Sequence, residues 1–124
     1  MLNVSAPFHC DLMLPAQERL AEVLETVSFG QLSSPIVENV SAKQNSDPTR
    51  VRTALTEQVS SPVRWQATIE GLIEEGVDTF VEVGPGKVLT GLARRIERSL
   101  QAFAIFDADS LDTALDSTQF SHED

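Results

Sequence analysis

The feature that most constrains this chain is a strand, a tight turn, a helix and a second strand in direct succession between residues 79 and 106. Thr79-Phe80-Val81-Glu82-Val83 has the β-branched and aromatic content of a strand. Gly84-Pro85-Gly86 then turns the chain into a helix whose Val88, Leu89, Leu92 and Ile96 recur at helical spacing and are expected to face inward. Ala102-Phe103-Ala104-Ile105-Phe106 follows as a continuous apolar run. A strand apolar on both faces is ordinarily covered on both faces, which is the pattern of parallel strands flanked by helices and so of an α/β fold.

The preceding residues extend the same alternation. Pro15 opens a helix expected over 15–27, with Ala16, Leu20, Val23, Leu24 and Val27 in register. Gly30 and Ser33-Ser34-Pro35 punctuate the chain, Pro35 to Val40 reads as a short strand, and the polar residues 41–46 as a loop. Asp47-Pro48 has the chemistry of a helix start and predicts a helix to about Ser60. Pro62 ends that helix and opens another, with Trp65, Ile69, Leu72 and Ile73 on one side and Gly76 as the stop. Residues 1–7 read as extended; from Asp116 onward little is available to pack, so 117–124 are expected to be a flexible tail.

Composition excludes several function classes. With 41% hydrophobic and 23% charged residues the chain is globular in character rather than disordered. A net charge of -10 repels a phosphate backbone, so nucleic acid is not an expected partner. No apolar run is long enough to span a bilayer and the first residues do not resemble a signal peptide, so no membrane association and a cytoplasmic location are expected. Cys10 is the one cysteine; it supports neither a disulfide framework nor a cysteine metal cluster, and no metal or cofactor is read from the sequence.

Few side chains suggest chemistry. His9 lies between an extended segment and the first helix, a place where element ends present functional groups, but a lone histidine equally suits a surface or packing position. Cys10 beside it reads as a small buried apolar side chain. Gln58 falls within the inward stripe formed by Val51, Ala54, Leu55 and Val59, in a final turn whose carbonyls lack helical partners. It can be an amide satisfied by local backbone or part of a site. Gly84-Pro85-Gly86-Lys87 could offer backbone N–H groups to an anion, yet it lacks phosphate-loop spacing and a simple turn accounts for it. Lys87, Arg94 and Arg98 fall on one stripe of the following helix with Arg95 at its flank; these are four of nine basic residues. They either complement the helix dipole or dock an acidic partner. No serine stands in a G-x-S-x-G pattern.

Two stretches resemble the malonyl-CoA:acyl-carrier-protein transacylase family: Ala6-Pro7-Phe8-His9-Cys10-Asp11-Leu12-Met13 and Glu82-Val83-Gly84-Pro85-Gly86-Lys87-Val88-Leu89-Thr90-Gly91-Leu92. Pro35-Ile36-Val37-Glu38-Asn39-Val40 and Pro62-Val63-Arg64-Trp65 fall between them in the family's order. The resemblance implies ping-pong transfer of malonyl from coenzyme A to the phosphopantetheine thiol of acyl carrier protein in fatty acid biosynthesis. It implies that His9 activates the nucleophilic serine, that the main-chain carbonyl of Gln58 accepts the other imidazole N–H, and that Phe8 sits where related acyltransferases favour malonyl. Arg94 and Arg95 match a basic pair implicated in carrier-protein docking, to which the helical stripe adds Lys87 and Arg98.

The same resemblance implies the C-terminal half of an α/β-hydrolase-like large subdomain over residues 14–116, preceded at 1–13 by the end of a small ferredoxin-like subdomain. The serine motif, the arginine that pairs with the malonyl carboxylate and the N-terminal oxyanion-hole donors would then lie upstream, on a missing N-terminal half. The isolated chain is expected to be inactive as an S-malonyltransferase. The alternative expectation is a non-enzymatic module that binds acyl carrier protein, or an inactive remnant.

Overall fold

The computed structural model describes residues 7–117, so the expected extended start before Pro7 and the expected tail beyond Ser117 lie outside the described residues. The chain forms two compact units, one ending at Gly71 and the other beginning at Leu72. Among the described residues no helix is long and apolar enough to cross a membrane.

In the first unit a single 3-10 turn, Asp11–Met13, leads into helix α1 (Leu14–Glu25). Strands β1 (Ile36–Val37) and β2 (Gln44–Asn45) precede α2 (Pro48–Glu57), and α3 (Trp65–Glu74) contains the boundary between units. Helix α1 packs on α2. Leu24, Val51, Ala54 and Ile69 are buried. Asp47 caps α2 as its sequence requires, accepting from the Thr49 N–H at 2.8 Å, with Pro48 at the position that needs no donor. Arg52 on α2 donates to the carbonyls of Leu24 and Val27, both at 2.9 Å, at and just past the end of α1, where the Leu24 carbonyl also accepts from the Val27 N–H at 3.2 Å. Helix α1 stops at Glu25, before Val27, and Val23 is 58% exposed.

The segment read as one strand and a loop is a small antiparallel hairpin, with Ile36 opposite Asn45 and Val37 opposite Gln44. The chain reverses at 38–43, where the Ala42 N–H donates to the Glu38 carbonyl (2.8 Å), the Glu38 N–H to the Lys43 carbonyl (3.0 Å), and Ala42 takes φ +56°. Residues 44 and 45 become a strand because a backbone partner is presented to them, a circumstance their polar side chains do not signal. Glu38 is buried and is held by Arg50 Nε (3.0 Å), Arg50 Nη2 (3.2 Å) and Ser41 Oγ (2.8 Å); Arg50 also reaches Glu57 (3.0 Å). This set ties the hairpin to α2.

In the second unit the βαβ expectation is realised: β3 (Thr79–Val83) pairs in parallel with β4 (Gln101–Ile105), residue 79 opposite 101 through 83 opposite 105. Helix α4 (Val88–Ile96) connects them and packs on both, while α5 (Ala108–Ser117) packs on β4. Gly76, φ +91°, ends α3 as expected: its N–H donates to the Ile73 carbonyl and that of Val77 to the Leu72 carbonyl, the paired bonds of a left-handed helix stop. Helix α5 was not anticipated by periodicity, although Asp107 and Ser110 carry a capping signal. Asp107 Oδ1 accepts from the Ser110 N–H, and Ser110 Oγ accepts from the N–H groups of Phe106 and Asp107.

Two burial expectations are corrected here. Val88 and Leu89 are 57% and 44% exposed, and the buried residues of α4 are Thr90 and Ala93. Thr90 turns inward because its hydroxyl donates to Glu82 (2.7 Å) and lies within reach of the Phe103 carbonyl (3.4 Å), which sets the rotation of the helix. Nor is the strand pair covered on both faces, since Val83 is 80% exposed and Val81 also open.

The Arg50 guanidinium beside Glu38 holds its carboxyl below the usual carboxylate value, outweighing the opposing effect of burial. A carboxyl whose folded-state value is depressed stabilises the fold above its unfolded value, and that contribution is lost as pH falls through the folded value. Chemical denaturation of Glu38→Gln at neutral pH should show a loss of about 1.5–3 kcal/mol, the range for a hydrogen bond to a charged group. The variant should also lose part of the acid-side decline of the parent.

Candidate active site

His9 has φ +58°, a left-handed conformation that histidine adopts more readily than most side chains but still at a cost of about 1–2 kcal/mol. What holds it is a hydrogen bond: Nδ1 lies 2.7 Å from the main-chain oxygen of Gln58, 49 residues away. A carbonyl only accepts, so this contact makes Nδ1 the protonated nitrogen of the neutral ring and leaves Nε2 with a free lone pair. The ring is exposed. The ring is thus held in one orientation with Nε2 open.

The carbonyl is available because Gln58 is the residue just past α2, with its own N–H directed back to Ala54. Its side-chain Oε1 accepts from Asn39 Nδ2 at 3.2 Å, so the inward amide read from the helical stripe is satisfied by a turn distant in sequence. Nothing in the polar turn around Asn39 signals that contact. Two ties hold the segments that carry His9 and Gln58. One is the Arg52 fork on α1; the other joins Ser60 Oγ to Gln17 Oε1. Phe8 beside His9 is 56% exposed. Cys10, read as buried, is half-buried, and its thiol donates to the Pro7 carbonyl (3.3 Å).

In the second unit, Lys87 and Arg94 line one cleft of about 270 Å³ with Phe103, Phe106, Ser110 and Thr113. Lys87 Nζ sits 5.2 Å from the centre of the Phe106 ring. Arg94 and Arg95 are both exposed, and Arg94 reaches back to the sheet, its Nη2 donating to the Ala102 carbonyl at 2.5 Å. Arg98 is not on the helical stripe, because α4 ends at Ile96. Glu97 accepts from the Ser99 N–H (2.9 Å) and Oγ (2.8 Å), a local turn that competes with another helical residue.

The N–H groups after Gly84-Pro85-Gly86-Lys87 do meet an anion, but it is internal. Glu82 accepts from the N–H of Leu89 (3.2 Å) and Thr90 (2.8 Å) as well as from the Thr90 hydroxyl. The Thr90 contacts hold the Glu82 carboxyl below its usual value, as expected of a carboxylate at a helix start. Among the described residues no group of three or more His, Cys, Asp and Glu side chains could hold a metal ion.

No protein-family model matches the chain. It is 43% identical over 114 residues, 92% of its length, to the malonyl CoA-acyl carrier protein transacylase of Bacillus subtilis, and 46% identical over 109 residues to that of Haemophilus influenzae. The chain is homologous to malonyl-CoA:acyl-carrier-protein transacylases. It spans about a third of their length, 36% of the first and 35% of the second. Among solved structures it matches a malonyl-transacylase in complex with the acyl-carrier protein of a type II PKS, with TM-score 0.86 and 47% identity. That match covers 94% of this chain and 38% of the transacylase. The α/β class and the parallel strand pair belong to that transacylase likeness.

Because Glu82 already occupies the helix start, inorganic phosphate should leave the amide NMR signals of Leu89 and Thr90 unshifted. Glu82→Ala should lower the melting temperature.

Proposed function

We propose that this chain supplies the general-base portion of an acyltransferase that moves malonyl from coenzyme A to the phosphopantetheine thiol of acyl carrier protein in fatty acid biosynthesis. The observation that carries the reading is the bond from His9 Nδ1 to the Gln58 carbonyl, in a chain homologous to transacylases. Nε2 of His9 would take the proton from a serine hydroxyl as that oxygen attacks the malonyl thioester carbonyl, and would return it to the departing coenzyme A thiolate. The second half-reaction repeats these steps with the carrier-protein thiol as nucleophile and the serine as leaving group. The Gln58 carbonyl takes the place that a carboxylate holds in Ser-His-Asp triads, orienting the ring and stabilising the imidazolium without adding a full negative charge.

The serine would come from a separate segment, as would the group that binds the malonyl carboxylate, since no G-x-S-x-G pattern occurs here. In this reading residues 1–13 end a small subdomain, 14–116 form half of a large one, and Phe8 borders the acyl group. A cytoplasmic location goes with it, and the free thiol of Cys10 suits a reducing compartment.

A second reading, a module that binds acyl carrier protein without transferring acyl groups, draws on Lys87 and Arg94 sharing one cleft, with Arg95 and Arg98 nearby in sequence. The two are separated by one assay of malonyl transfer from coenzyme A to carrier protein. The chain alone should run at background, and mixing it with a polypeptide covering the remaining two-thirds of a transacylase should restore turnover. His9→Ala should then reduce that turnover by about 10²- to 10⁴-fold. Turnover by the chain alone, or a His9→Ala mixture as active as the parent, would refute the acyltransferase reading; binding of carrier protein without transfer would favour the module.

A further inference from the structure

We propose that Asn39 is a positioning residue for His9, acting through the side chain of Gln58; this rests on the reading of His9 as the base. Gln58 follows the last residue of α2, where a helix end frays and a free carbonyl can swing. A base oriented by such a carbonyl is only as well fixed as the residue that carries it. The Gln58 side chain supplies the restraint by accepting from Asn39 Nδ2 at 3.2 Å.

Asn39 is itself a fixed post. Its carbonyl accepts from the Arg64 N–H at 2.9 Å, and it directly follows Glu38, the buried carboxylate held by Arg50 and Ser41. Arg64 reaches the same turn a second time, donating through Nη1 to the Ser41 carbonyl at 3.2 Å. Three segments distant in sequence, at 9, 39 and 58, are thereby joined by two hydrogen bonds. One is made by the main chain of Gln58 and the other by its side chain. The main-chain bond selects the ring tautomer; the side-chain bond keeps the carbonyl aimed.

The test reads the tautomer of the neutral His9 ring by 15N NMR in the full chain, with His122, the other histidine, as internal reference. The parent should show Nδ1–H with a bare Nε2. Asn39→Leu, which removes the amide at similar size, should move the ratio about three- to tenfold toward Nε2–H, the scale of one ordinary hydrogen bond. Gln58→Ala keeps the carbonyl but removes the side chain. It should produce the same shift, and the double variant no more than either, because both break a single link. An unchanged tautomer in Gln58→Ala overturns the proposal even if Asn39→Leu does not fold, and so do additive effects. A parent ring without Nδ1–H overturns the His9–Gln58 bond itself, and with it the reading of His9, so the two failures are distinguishable.

Discussion

Glu38 is a carboxylate with only 6% of its surface exposed, in a chain of net charge -10, and the first unit is arranged around making that burial tolerable. An isolated buried charge is costly, so its oxygens are met by the forked guanidinium of Arg50 and the hydroxyl of Ser41. Meeting those partners fixes the hairpin turn against α2. The turn then places Asn39 against Gln58, and the end of α2 presents its carbonyl to His9. The buried carboxylate thus lies at the base of the series of contacts that orients the His9 ring.

The second unit uses a carboxylate in a comparable way with a different class of partner. Glu82 projects from β3 to the N–H groups and hydroxyl at the start of α4, so the strand caps the helix that follows it. That contact sets the helix rotation that buries Thr90 and Ala93, leaves Val88 and Leu89 open, and directs Arg94 to the backbone of β4. An anion-binding helix start is satisfied from within, which accounts for the turn geometry of Gly84 to Gly86 without an external ligand.

Much of the fold was legible because its signals are local. The Asp47-Pro48 start, the Gly76 stop and the strand Thr79–Val83 each follow from the chemistry of a few adjacent residues. The free carbonyl at Gln58 was legible too, since a helix end leaves it without a partner wherever the helix lies. The hairpin was not, because Gln44 and Asn45 are strand residues only by virtue of their pairing with β1. The α4 burial pattern was misread for a similar reason: spacing gives the width of an apolar stripe, whereas a tertiary hydrogen bond chose which way the helix turned.

The sequence by itself determined the α/β succession, the chemical types at His9 and Gln58, and the likeness of its motifs to transacylases, since these depend on residue identity and short-range spacing. Only the tertiary structure decided that His9 meets Gln58 through Nδ1, that Asn39 braces that contact, and that Lys87 and Arg94 share a cleft while Arg98 lies past the helix end. Such contacts depend on turns and helix rotations that close over tens of residues. Their partners are backbone atoms and flexible amides, which every sequence contains and no local pattern distinguishes.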